Sequence, residues 1–173
     1  MPLLGPKAPP PPPGNVLPVL RLTFSNFFKH FYASLSHAQS GMAEPPDPLQ
    51  ADFEIATTMA LIDHDAELTK AKLELVSAAA QIAQASTLWP QGRPIYEQLA
   101  KCIRVYQDLI DNAIAMNNVW MGTEDPHKVM PRLRPLLARN RQLGAAADVH
   151  WSRGLDLLEK SSGITPPPNP LGA

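Results

Sequence analysis

From Leu68 onward apolar residues recur in alternating steps of three and four, through Ala71, Leu75, Ala78, Ile82, Ala85 and Trp89, and Leu61 extends the series one heptad upstream. An average step of about 3.5 residues predicts a helix that winds left-handed around its neighbours. Alanine at alternate seam positions lets one of them come close. A second stripe, Ile55, Met59, Ile62, Ala66, Leu73, Val76, Ala80 and Ala83, is read as lying beside the first. The apolar face is then too wide for a two-stranded coil and calls for at least two neighbours. This helix is expected to start near Pro48, in an acid-rich turn that suits the positive end of the helix dipole, and to stop at Pro90.

Pro90, Gly92 and Pro94 form a tight connection, which implies an antiparallel hairpin. The next seam is the most regular in the chain: Ile95, Leu99, Cys102, Tyr106, Leu109, Ala113, Met116 and Trp120, widened by Ile103 and Ile110, with Gly122 as C-cap. Asp125 and Pro126 then supply an N-cap and first helical residue. A third seam follows: Val129, Leu133, Leu136, Asn140, Leu143, Ala147, His150, Gly154 and Leu157. Pro131 and Pro135 interrupt it and leave open a short first turn to Met130 with the long helix beginning at Pro131. The expected fold is all-α: three long antiparallel helices, about 48–89, 94–121 and 126–160, forming a bundle or coiled coil over residues 48–162.

Of the 20 prolines, eleven precede Gln50 and four follow Thr165. Residues 1–47 and 163–173 are therefore expected to be disordered, proline-rich termini. Pro9 to Pro13 favours an extended polyproline segment. The stretch 16–37 has no acid and holds Phe24, Phe27, Phe28, Phe31 and Tyr32. Three readings stay open for it: an organelle transit peptide, sequence upstream of a true start at Met42, or an arm whose phenylalanines dock on a partner.

The net charge of −1 hides an asymmetry. Seven acids, Glu44, Asp47, Asp52, Glu54, Asp63, Asp65 and Glu67, precede the first base after residue 43, Lys70. Residues 126–147 carry Lys128, Arg132, Arg134, Arg139 and Arg141 and no acid. In an up-down-up bundle the outer two helices are parallel, which would set the acidic half beside the basic half. The basic run could otherwise meet an acidic partner. It lacks the interleaved aromatics that nucleic-acid contact would favour.

No apolar run approaches the length of a membrane span. Cys102 occupies a seam position and reads as a small core residue rather than a nucleophile. Asp63, His64, Asp65 and Glu67 turn to different sides of a helix and read as a solvated face rather than a metal site. Asn140 and His150 are polar groups in a seam, where they fix register or partner choice more often than they titrate. The residues show no phosphate loop, serine elbow, paired Cys or His motif or kinase signature. No catalytic residue, metal site or cofactor is assigned.

With a proline-rich arm, heptad helices and a proline-rich tail, the chain resembles the small helical subunits of the eukaryotic Mediator complex. The local match is carried by Pro126 to Met130 ahead of the last helix and by His150-Trp151 followed by Leu155, Leu158 and Glu159. The resemblance implies a nuclear, non-catalytic scaffold that joins other helical subunits. The residues themselves point to an interaction subunit of the nucleus or cytoplasm. Helices of unequal length would leave seam uncovered around Leu61 and Leu68. The interface candidates are Leu61, Leu68, Leu75, Ile82, Trp89, Tyr106, Trp120, His150 and Trp151. Two alternatives stand beside this reading: a mitochondrial protein with a cleaved presequence, and a ligand-binding bundle using Tyr106, Asn140 and His150.

Overall fold

The computed structural model describes residues 7–42, 53–121 and 126–171, with side chains from residue 58 in the second segment and from residue 128 in the third. It is all-α, built from α1 (Leu17–Gly41), α2 (Phe53–Leu88), α3 (Arg93–Met121) and α4 (Pro126–Ser162), with a 3-10 turn at Pro90–Gly92. The described helices thus number four rather than three. The expected start at Pro48, the C-cap at Gly122 and the N-cap at Asp125 lie outside the described residues.

The additional helix corrects the reading of the N-terminal region. The stretch expected to be a disordered arm is α1, and its Leu20, Phe24, Phe27, Phe28 and Phe31 are at most 2% exposed. The local reasons for a helix are ordinary ones. Pro18 falls in the first turn, where a missing N–H costs nothing, and no further proline or glycine follows until Gly41. Leu20, Phe24, Phe27, Phe31, Ser34 and Ala38 step by four and three, and all are buried. Burying each phenylalanine contributes about 2 kcal/mol, so these rings give α1 its reason to dock.

α1 packs along α2, and α3 along α4; α2 against α3 joins the two hairpins. α2 and α4 lie diagonally and share no extensive contact. Among the described residues, the acids Asp65 and Glu67 of α2 turn to Asn117 of α3, and to His37 of α1 and Lys70, rather than to the bases of α4. α1 reaches α4 through aromatic rings, with Trp151 in contact with Phe27, Phe28, Phe31 and Tyr32. Gly41 and Gly154 permit close approach. A Cβ on Gly41 would lie 2.6 Å from Leu68 Cγ, and one on Gly154 2.8 Å from Leu99 Cδ2.

Pro131 and Pro135 stand inside α4, which runs through both. Both rings face solvent, so water can hydrate the carbonyls left without an N–H donor. The second and third seams are otherwise placed as their spacing predicts: Ile95, Leu99, Cys102, Leu109 and Ala113 of α3, and Val129, Leu133, Ala147 and Leu157 of α4, are buried. Gly163 ends α4 with a φ of +68°, a left-handed conformation that only glycine adopts at no cost. The residues after it fold back rather than trailing off. Ile164 is buried, and the Tyr32 hydroxyl donates to the Pro167 carbonyl at 3.0 Å. A shallow groove of about 550 Å³ runs between this tail and Arg21, Ser25 and Phe28 of α1.

Candidate functional site

α2 is apolar on two opposite sides. Its inner seam, Leu61, Leu68, Ala71, Leu75, Ala78, Ile82 and Ala85, is buried against α1 and α3. Met59, Ala66 and Leu73 each precede a seam leucine by two residues, and two residues turn a helix by about 200°. The second stripe therefore faces away from the core rather than lying beside the first. Met59 is 63% exposed, Ile62 58%, Leu73 64% and Val76 59%. Ala66, Thr69, Ala80 and Ala83 between and beyond them are exposed as well, and the side chain of Ile55 lies outside the described residues.

Charged residues line the edges of α2. Toward α1, His30 Nδ1 lies 2.6 Å from Glu74 Oε2 and His37 Nδ1 2.7 Å from Glu67 Oε2. Lys70 Nζ donates to Glu67 Oε1 at 2.6 Å. The hydrogen bond from Lys70, then that from His37, holds the Glu67 carboxyl below its ordinary range. Toward α3, Lys72 Nζ donates to Asp111 Oδ1 at 2.6 Å and Asn117 Nδ2 to Asp65 Oδ1 at 2.8 Å. These bonds tie α2 to its neighbours and leave the outer stripe as a continuous apolar surface. Among the described residues nothing covers that surface. Leaving each of the four large side chains in water forgoes about 1.5–3 kcal/mol of burial, and apolar contiguity of this kind marks an interaction surface.

Five of the residues expected at a partner interface lie elsewhere. Leu61, Leu68, Leu75, Ile82 and Trp89 are at most 6% exposed, and all but Leu61 share one core cluster with the phenylalanines of α1. Tyr106 and Trp151 are half-buried in the aromatic cluster around Phe31. Trp120 is half-buried near the end of α3. His150 is half-buried and its Nδ1 meets Gln98 Oε1 at 2.9 Å. Burial, then Lys101 and Arg153, lowers its pKa. The residues that do form the exposed surface appeared in the sequence as the second stripe.

The polar residues that a pocket would need do not converge. Asn112 Nδ2 donates to the Leu136 carbonyl at 2.8 Å and to Asn140 Oδ1 at 2.5 Å, which joins α3 to α4. Cys102 is buried, and burial followed by Asp148 pushes its thiol up to about 12. Among the described residues no three His, Cys, Asp or Glu side chains gather as a metal site. Lys128, Arg132, Arg134, Arg139 and Arg141 are exposed along α4. Among the described residues no helix is long and apolar enough to cross a membrane.

Comparison with protein-family models, with curated proteins and with solved structures finds no match to this chain.

Proposed function

We propose that the chain is a non-catalytic helical interaction subunit, and that the outer face of α2 is where it holds another helix. One observation carries this reading: Met59, Ile62, Leu73 and Val76 share an exposed side of a helix whose opposite side is fully committed to the core. Their spacing of three, eleven and three continues a heptad through Ala66 and Thr69, the pattern by which one helix receives another. The exposed bases of α4 form a second, electrostatic surface suited to an acidic partner. The resemblance to small helical subunits of the Mediator complex names a nuclear assembly as the first to test; a cytoplasmic assembly satisfies the same surface.

The test is affinity isolation of the tagged full chain from its own cells, compared with a Leu73→Glu/Val76→Glu variant. The reading expects helical companions with the unaltered chain and their loss with the variant, at unchanged helical circular dichroism. Identical recovery from both chains would rule out the α2 face as the docking surface.

A further inference from the structure

The outer stripe of α2 continues through Met59, Ile62, Ala66, Thr69, Leu73 and Val76 in steps of three and four. It is flanked on one side by Asp63 and Lys70 and on the other by Asp65 and Lys72, so each flank carries an acid and, seven residues later, a base. That order is self-complementary when the helix is reversed. We infer that this face binds a second copy of the chain through an antiparallel α2 pair whose two-fold axis passes between Glu67 and Leu68. The inference rests on the proposed reading of the α2 face and names its occupant.

In this register Met59 of one copy lies level with Val76 of the other, Ile62 with Leu73, and Ala66 with Thr69, so large apolar groups meet at both ends and small ones at the axis. Asp63 then faces Lys70 of the second copy, and Asp65 faces Lys72. The symmetry makes four attractive pairs. Shifting the helices one heptad in one direction sets Asp63 against Asp63 and Asp65 against Asp65. The opposite shift sets Lys70 against Lys70 and Lys72 against Lys72. Like charges at these flanking positions oppose association, so of these three registers only the central one is complementary. A parallel in-register pair would bring Asp65 to Lys70 twice and leave Asp63 and Lys72 unmatched. Lys70 and Lys72 already reach Glu67 and Asp111 within the chain. An ammonium has three donors and can serve a second carboxylate.

Sedimentation equilibrium of the full chain tests the inference. The unaltered protein is expected at twice the 18.9 kDa chain mass. Leu73→Glu and Asp63→Lys/Asp65→Lys are expected to sediment as monomers with unchanged circular dichroism. Adding Lys70→Asp/Lys72→Asp to the second variant should restore the dimer. Met59→Cys/Val76→Cys should crosslink between copies on mild oxidation. Met59→Cys alone should not, because two Met59 residues stand about 26 Å apart along an antiparallel pair. A monomeric unaltered chain, a dimer that survives Asp63→Lys/Asp65→Lys, a failed charge-swap rescue, or crosslinking of Met59→Cys alone would each overturn the proposal. If the unaltered chain is monomeric while its companions in cells still depend on Leu73, the α2 face holds a different chain and only the self-pairing fails. If the companions are also indifferent to Leu73 and Val76, both readings fail.

Discussion

Trp151 lies flat on Phe31, with ring centroids 4.4 Å apart and planes 10° from parallel. The contact joins α4 to α1 near the centre of the aromatic cluster, so the helix formed by residues 17–41 is held by stacking as well as by apolar burial.

Trp151→Ala is expected to cost about 3 kcal/mol, since it removes the ring shared by Phe27, Phe28, Phe31 and Tyr32. A lower urea midpoint at unchanged slope would show it. A chain beginning at Met42 lacks α1 altogether and uncovers Leu68, Leu75 and Ile82. It should bind a hydrophobic dye and lose its cooperative unfolding transition.

Gly41→Ala should destabilise more than Gly154→Ala. At Gly41 the new methyl would meet the His64 carbonyl oxygen at 2.8 Å, and backbone cannot step aside, whereas at Gly154 it meets the end of Leu99. Overpacking costs about 1–3 kcal/mol and is partly offset by alanine's better helix propensity. Thermal unfolding midpoints of the two variants give the order directly.

Acid should weaken the bonds that Glu67 makes to Lys70 within α2 and to His37 of α1. Its carboxyl is depressed, so its stabilising effect is present above the ordinary value of 4.5 and is lost as pH falls through the lower folded value. Denaturation midpoints of the unaltered chain and Glu67→Gln, measured across that range, should converge as pH falls. Parallel curves would show that Glu67 makes no such contribution.

Cys102 should resist alkylation in the folded protein and react at once in denaturant. Its thiol is raised from 9.0 to about 12, so the associated stability is intact below pH 9 and is lost as pH rises toward 12. Thiol trapping with and without denaturant checks the first statement, and alkaline unfolding of Cys102→Ala against the unaltered chain checks the second.

The seams of α3 and α4 were legible from spacing because their neighbours lie within the same pattern. α1 was hidden by what surrounds it. The proline run before Val16 and the lack of acids drew attention to composition, although Leu20, Phe24, Phe27, Phe31, Ser34 and Ala38 keep the same four-three step as the other helices. Ser34 disguised the seam further, because its hydroxyl belongs there only by donating to the Ala71 carbonyl at 2.8 Å, a bond between helices that spacing cannot display. A three-helix plan leaves Leu61 and Leu68 uncovered; both are buried, Leu68 in the cluster that α1 shares, and the outward side of α2 is Met59, Ile62, Leu73 and Val76. Which of two apolar stripes a helix buries depends on how many neighbours it has, and a single sequence states that number poorly.

The two-sided character of α2 also bears on the life of the chain in the cell. A copy without a partner shows the same apolar stripe that chaperones and proteases use to detect incomplete proteins, although its own fold is finished. Its lifetime should therefore depend on its abundance: scarce copies are cleared as orphans, while paired copies hide the signal in each other. Half-lives of Asp63→Lys/Asp65→Lys and of its charge-swapped partner variant, followed after translation is blocked, would measure that dependence, with the swapped chain outlasting the unpaired one.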